Sequence, residues 1–374
     1  MPRSVLPHSA LQPPESPLRF DPSVEQLEKD EAKTGAELVE TLLKISHKTH
    51  ADTGRALRSV HAKSHGLLRG ELRVLDNLPA SLSQGVFGRL HAYPVVIRLS
   101  TTPGDILDDN VSTPRGMAVK LVGVEGDRLP GSEGNVTQDF VLVNGPAFNA
   151  PSAAKFLSSL KLLAATTDHI AGLKKAASAV LRAAETIVEA FGTKSATLVS
   201  MGGQRETHIL GETFYTQAPI RYGDYIAKIS IAPVSRNLTD LTDQLVDLDG
   251  KPDGLRASVV DFFSSNGGEW EVRVQLCTNL DSMPVEDSSV VWSEEESPYV
   301  PVARIVIEPQ NAWDPQKVVA QDEGMSFSPW HGVRAHQPLG SIMRVRRAAY
   351  EQSAQFRAQH SGCPMTEPHS ARDL

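Results

Sequence analysis

Near the C-terminal end of the chain, a tyrosine and two of the four arginines in the stretch 341–357 have a spacing that could do chemistry. Arg346 lies four residues before Tyr350, and Arg357 lies seven residues after it. On a helix that turns about 100° per residue, these three side chains fall within about 40° of one another. A guanidinium one turn away stabilises a phenolate, which is a hard anionic ligand that haem iron accepts. The same spacing also fits an ordinary surface helix, so this stretch alone does not predict a site.

A second group of polar residues lies towards the other end of the chain, in the run RSVHAKSHG at 58–66. His61 is a candidate acid or base, because imidazole is the side chain best suited to moving protons near neutral pH. Further motifs then follow in the order RLST at 98–101, PRGMAVK at 114–120, GNVT at 134–137 and FSP at 327–329.

In this order the motifs resemble those of the haem catalase superfamily. Catalases carry R-x-V-H-A-K/R around a distal histidine, then R-F-S-T, D-P-R-G-x-A-x-K, G-N-N-T with a distal asparagine, and F-x-P. An R-x-x-x-Y motif with an arginine seven residues on completes the set, and this chain has a counterpart to each motif between residues 58 and 357. The resemblance implies an α+β fold: an eight-stranded antiparallel β-barrel with inserted and flanking helices, holding one haem b.

The resemblance also implies which residues perform the chemistry. Tyr350 would be the axial ligand of the haem iron, and Arg346 would keep its phenol ionised. His61 and Asn135 would be the catalytic residues. His61 would move the proton of a bound peroxide, and Asn135 would place a peroxide oxygen beside the iron.

The remaining residues that the resemblance assigns to the cofactor are expected to touch the haem or to orient its neighbours. The arginines would pair with the haem propionates, Ser100 would orient the His61 ring, and Phe148 approximates the phenylalanine that stacks on the haem. With Arg346 and Tyr350, this cofactor-binding set comprises Arg58, Val60, Arg98, Ser100, Phe148 and Arg357.

The chain also departs from the pattern of large catalases. We expect the protein to lack their C-terminal flavodoxin-like domain and interlocking arm, and Thr113 stands where they carry an aspartate in the access channel. A shorter, more open approach would admit bulkier hydroperoxides and external reductants. We therefore expect a haem-dependent peroxidase that reduces hydrogen peroxide, organic hydroperoxides or both, with weak catalase activity as a side reaction.

Three other functions stay open at the level of sequence. A compact true catalase would dismutate hydrogen peroxide, and Val60 favours it because catalases keep that valine. A fatty-acid hydroperoxide isomerase or lyase would resemble the allene oxide synthases, which carry threonine at that place. A non-enzymatic barrel would carry haem or lipid without turnover.

Composition limits the partners. The 374 residues are 40% hydrophobic and carry a formal net charge of −8, which argues against nucleic acid or an anionic membrane as partner. The only cysteines, Cys277 and Cys363, predict no disulfide framework, so we expect a reducing cytoplasm. The expected partners are a small-molecule peroxide and an organic reductant, with a homodimer as one option for assembly.

The helices and strands that would position these functional residues can also be predicted from the sequence. Apolar periodicity predicts a helix over about 23–57, inserted helices over 151–193 and a final helix from Ser341. We expect residues 1–22 to be an extended arm, 23–360 a single catalase-like haem domain and 361–374 a flexible tail. Strands are predicted at Glu71–Asn77, Ala92–Thr101, Pro114–Val122, Gln138–Asn144, Glu212–Arg221, Tyr225–Pro233, Glu269–Thr278 and Val300–Glu308.

Overall fold

The computed structural model describes residues 12–167, 204–316, 322–362 and 365–373. Within these ranges the α-helices are α1 (Glu31–Thr53), α2 (Ala153–Thr167), α3 (Arg236–Thr239), α4 (Gly254–Phe263) and α5 (Ser341–His360). The strands are β1 (Lys63–Val74), β2 (Ala92–Thr101), β3 (Arg115–Val122), β4 (Thr137–Val143), β5 (Phe214–Tyr215), β6 (Ile220–Tyr222), β7 (Tyr225–Pro233), β8 (Gly268–Leu276) and β9 (Val300–Ile307).

The strands form one antiparallel sheet that closes on itself. Their order is β5-β4-β3-β2-β1-β9-β8-β7-β6, and β5 also pairs with β7. This extra pairing closes eight strands into a barrel and leaves the short β6 paired with β7 beside the ring. The predicted eight-stranded antiparallel barrel, with inserted and flanking helices, is therefore confirmed. Closure also removes the unpaired strand edges that an open sheet would expose.

Alternation along β2 separates the residues that stabilise the fold from those that can do chemistry. Val95, Ile97 and Leu99 belong to the large apolar cluster at the centre of the barrel. Because successive side chains of a strand point to opposite faces, Arg98 and Ser100 lie on the other face of the wall. The functional residues of β2 therefore lie outside the barrel.

The helices cover part of this outer face. α1 packs against both α2 and α5, and their shared apolar cluster includes Leu38, Leu42, Leu157, Leu160, Val345 and Ala349. Arg344 fixes the start of α5 through its guanidinium, which donates to Glu31 at 2.8 Å, Glu25 at 2.7 Å and Glu286 at 3.0 Å. The last helix is thus held both by apolar packing and by ion pairs.

Several element boundaries differ from the sequence predictions. β1 begins at Lys63 rather than Glu71, and α1 begins at Glu31, after Asp30 with a left-handed φ of 64°. The strand predicted at 212–221 splits into β5 and β6 because Gln217 has a φ of 62°, which breaks the extended backbone. In the inserted helical region, α2 covers 153–167, and residues 168–193 lie outside the described residues.

Part of the predicted flexible tail packs on the barrel. The Thr137 hydroxyl donates to Glu367 at 2.8 Å, the buried Lys120 ammonium contacts the same carboxylate, and the Thr366 amide donates to the Gly324 carbonyl at 2.9 Å. At the other end of the chain, the predicted arm is attached at Leu18, whose amide donates to the Cys277 carbonyl at 2.7 Å. Among the described helices, none is both long enough and apolar enough to cross a bilayer.

Candidate functional site

A cavity of about 940 Å³ is bounded by β2, β3, β4, α1 and α5. This volume is near the upper end of the ~300–1,000 Å³ typical of small-molecule and cofactor sites. Nearly all of the site residues predicted from sequence line it, namely Arg58, Val60, His61, Arg98, Ser100, Phe148, Arg346, Tyr350 and Arg357. Residues as far apart in sequence as 58 and 357 therefore meet around one space.

Asn135 is the predicted site residue that does not line this cavity. It precedes β4, whereas Asn144 follows that strand and does line the cavity. A seven-residue strand at about 3.3 Å per residue separates its ends by roughly 20 Å. Asn135 therefore lies apart from the other predicted site residues, and the asparagines that line the cavity are the half-buried Asn144 and the exposed Asn149.

Asn144 lines the cavity with only one half of its side-chain amide engaged. The Arg115 amide donates to its Oδ1 at 2.9 Å, while its Nδ2 is buried and has no partner within the described residues. The bond to Oδ1 fixes the amide group, and its two N–H bonds are not used by the described residues. A polar residue followed by Gly145 and Pro146 directly after an apolar strand was the sequence signal that marked this place.

His61 sits in a constrained conformation beside the barrel wall. Its φ of 55° is unusual for a residue with a side chain. Arg98 holds this backbone by donating to the His61 carbonyl at 3.0 Å and to the Ala62 carbonyl at 3.2 Å. The Ser100 hydroxyl lies 3.2 Å from His61 Nδ1, and a Cβ on Gly116 would approach the ring to 2.7 Å. Only glycine at 116 leaves room for the imidazole.

The surroundings of His61 keep its ring neutral. Burial lowers its pKa to about 3, and the nearby Arg98, Arg346 and Arg58 guanidinium groups act in the same direction. Near neutral pH the ring therefore carries no charge. A neutral imidazole held at Nδ1 is able to accept a proton.

Three arginines lie close together at another part of the wall, and two of them bind one carboxylate. Arg98 Nε donates to Asp322 Oδ1 at 2.5 Å, and Arg58 Nη1 lies 3.5 Å from Asp322 Oδ2. Arg357 Nη1 donates to the Glu323 carbonyl at 2.5 Å, while its Nε is buried and has no hydrogen-bond partner in the described chain. Asp322 thus orders the first two guanidinium groups, and a backbone carbonyl orders the third.

This cluster carries more positive than negative charge. Burial lowers the pKa of Arg58 and brings that of Arg357 to about 10. Burial raises the pKa of Asp322, but Arg98 and Arg58 outweigh that effect and hold it below its usual range. With Arg55, which binds the buried Glu323, four guanidinium groups surround two buried carboxylates, and this excess of positive charge favours binding of a further anion.

Tyr350 and Arg346 meet as their helical spacing predicts. Arg346 Nη2 donates to Tyr350 Oη at 2.7 Å, and both side chains line the cavity from α5. The same guanidinium lies 5.5 Å from the centre of the Phe148 ring. The phenol oxygen therefore lies at the cavity wall in a charge-assisted hydrogen bond with Arg346.

Comparisons with known proteins identify the fold. No family model matches the chain, and no curated protein sequence matches it. The crystal structure of a fungal catalase aligns with a TM-score of 0.60 at 17% identity, covering 88% of this chain and 64% of that one. Catalase A from Saccharomyces cerevisiae gives 0.59 at 17% identity, covering 88% and 67%. A bacterial catalase gives 0.56 at 16% identity, covering 89% and 64%. The chain has the catalase fold and spans about two thirds of the length of these catalases.

Proposed function

We propose that this protein is a haem-dependent peroxidase that reduces hydrogen peroxide, organic hydroperoxides or both. The observation that carries the proposal is that the Tyr350–Arg346 pair and the His61–Ser100 pair line one cavity. The first pair offers a ligand for iron and the second offers a proton acceptor. The catalase fold of the chain agrees with this pairing of roles.

The cavity has the groups that haem b requires. Tyr350 Oη would bind the iron, and the surplus guanidinium charge of Arg58, Arg98 and Arg357 would pair with the propionates. Apolar wall residues such as Ala118 would contact the macrocycle. When bound, haem b supplies the redox-active iron at which the peroxide O–O bond is cleaved.

The chain's own residues would control the peroxide and its proton. His61 would accept the proton of the hydroperoxide and return it to the leaving oxygen as water or an alcohol forms. Ser100 would hold Nδ1 of the ring, which fixes its orientation. Asn144 Nδ2, which lacks a partner within the described residues, would donate a hydrogen bond to a peroxide oxygen. The role first expected of Asn135 thus passes to Asn144.

The cavity wall favours organic hydroperoxides alongside hydrogen peroxide. Val60 and Val291 line the cavity with exposed fractions of 38% and 58%, which gives an apolar approach. Thr113, at the place of the channel aspartate, is buried and donates its hydroxyl to the Thr102 carbonyl. Neither feature repels an alkyl group, and Thr113 adds no charge to the approach.

The test is a steady-state comparison on the purified protein loaded with haem. We expect dye oxidation with cumene hydroperoxide and with hydrogen peroxide, and slow release of oxygen from hydrogen peroxide. Fast oxygen release without turnover of cumene hydroperoxide would identify a compact catalase. Rearrangement of a fatty-acid hydroperoxide without consumption of dye would identify an isomerase or lyase. A protein that takes up no haem, and so has no Soret band, would contradict the proposal.

A further inference from the structure

A second cavity, of about 350 Å³, borders the arginine cluster of the main cavity. Asp322 lines this second cavity, while its carboxylate binds Arg58 and Arg98, which line the main one. The two spaces are therefore joined through a layer of side chains that includes this carboxylate and its two guanidinium partners. The proposed function gives no role to the second cavity.

One wall of the second cavity is formed by an arginine packed against a tryptophan ring. The Arg256 guanidinium lies 4.1 Å from the centre of the Trp313 ring, and both residues line the cavity. Arg256 is itself fixed, because its Nε and Nη2 donate to the Ser64 carbonyl at 3.1 Å and 3.0 Å. Ile106, which is 40% exposed, adds apolar surface. A flat aromatic ring is the kind of ligand that such a wall accommodates.

The same cavity also offers an acceptor for a hydroxyl group. The side chain of Asp253 lines the cavity and is 55% exposed. It lies 3.2 Å from Lys63 Nζ and 3.4 Å from Arg256 Nη1, through its Oδ1. A carboxylate has about four acceptor positions, so these two contacts leave capacity for another donor. An aromatic ring that carries a hydroxyl would use both the indole and this carboxylate.

We propose that the second cavity binds the electron donor of the reaction and that this donor is a small phenol. Its ring would pack beside Trp313 and its hydroxyl would donate to Asp253. Two phenol molecules each lose one electron and one proton, and one hydroperoxide takes up both pairs to give an alcohol and water. The phenols leave as phenoxyl radicals. This proposal rests on the peroxidase function, since a catalase or an isomerase needs no such donor.

Calorimetric titration of the haem-loaded protein with guaiacol tests the site. Asp253→Asn keeps the shape of the side chain but weakens the hydrogen bond to the phenol, so we expect guaiacol to bind about tenfold more weakly. Trp313→Ala should weaken binding about three- to tenfold, and Trp313→Phe should restore most of it. The matched ligand 1,2-dimethoxybenzene, which has no hydroxyl, should bind the wild type about as weakly as guaiacol binds Asp253→Asn.

Steady-state kinetics give a second measurement. In Asp253→Asn and in Trp313→Ala, the KM for guaiacol should rise while the KM for cumene hydroperoxide stays unchanged. Guaiacol affinity unchanged in Asp253→Asn and Trp313→Ala would overturn the site, even in a protein that oxidises guaiacol rapidly. Loss of affinity in Trp330→Ala instead would place the donor in the main cavity and also overturn it. Variant-sensitive binding without hydroperoxide turnover would support the site and contradict the peroxidase function.

Discussion

The two sides of the main cavity are built in different ways. The side that carries Tyr350 is a single helix, in which Arg346 reaches the phenol oxygen one turn away. The side that carries His61 is assembled from a left-handed residue, an arginine and serine of β2 and a glycine of β3. Local periodicity positions the first side. Strand pairing and close packing position the second, so its geometry depends on residues distant in sequence.

Among the variants that compare the two sides of the cavity, we expect removal of the tyrosine to have the largest effect. Tyr350→Phe deletes the oxygen atom that Arg346 contacts and that would bind iron, so we expect loss of the ferric-phenolate absorption spectrum. Optical titration of the variant with haem measures this, and Tyr225→Phe on β7 is the matched control. An unchanged Soret and charge-transfer spectrum in Tyr350→Phe would show that another group binds the iron.

Removing the histidine should separate binding from chemistry. His61→Ala leaves the Tyr350 side intact, so haem should still bind, while peroxide cleavage should fall by the ~10²–10⁴-fold typical of a lost acid–base group. Stopped-flow mixing with cumene hydroperoxide measures the rate, and His91→Ala is the control on an exposed histidine. A wild-type rate in His61→Ala would transfer the proton-moving role to another side chain.

The glycine of β3 tests whether packing positions the histidine. Gly116→Ala would bring a Cβ to 2.7 Å from the His61 ring, so the imidazole must shift. We expect a loss of about tenfold or more in peroxide cleavage, because small misplacements of a catalytic group are costly. Haem affinity and thermal midpoint should be measured alongside. A fully active variant would indicate that the ring has room to move.

The two asparagines distinguish the proposed site, with Asn144, from the site predicted from sequence, with Asn135. Asn144→Asp keeps an acceptor for the Arg115 amide and removes the N–H donors, so peroxide cleavage should slow about tenfold. Asn135→Asp, outside the cavity, should leave the rate unchanged. Presteady-state rates of peroxide cleavage in both variants measure this. A slower rate in Asn135→Asp than in Asn144→Asp would restore the original assignment of Asn135.

The smallest expected effect is on pH dependence. His61 must be neutral to accept a proton, and its pKa is lowered to about 3 from an ordinary value of 6.5. Peroxide cleavage should therefore be flat from neutral pH down to about 5 and fall only as pH approaches 3. A profile of kcat/KM for cumene hydroperoxide measures this. A fall centred near pH 6.5 would mean that the ring has an ordinary pKa.

The sequence predicted the helical side of the cavity and most of the barrel, because both follow from short-range periodicity. Arg346 and Tyr350 meet at the distance that a four-residue spacing implies. The sequence marked both Asn135 and Asn144, but the choice between them depends on which end of β4 faces the cavity. A similar limit applies to Glu367, whose contact with Lys120 joins residues 247 positions apart in sequence.

The contacts of the second cavity were also beyond sequence reasoning. Asp253, Arg256 and Trp313 come from two separate stretches, and neither stretch has a pattern that suggests a ligand. The division of the strand predicted at 212–221 depended on the backbone angle of Gln217, which composition does not specify. Closure of the barrel and packing of side chains determine such features, and both join residues that are far apart in sequence.

Because side chains alternate between the two faces of β2, the site is sensitive to the number of residues in this strand. Val95, Ile97 and Leu99 fill the barrel while Arg98 and Ser100 serve the cavity, so one strand belongs to two structures at once. Inserting a single residue before Arg98 would exchange the two sets and place a guanidinium among the core side chains. A two-residue insertion would preserve the faces and only shift the pairing. Insertions or deletions of an even number of residues in this strand should therefore be tolerated better than those of an odd number.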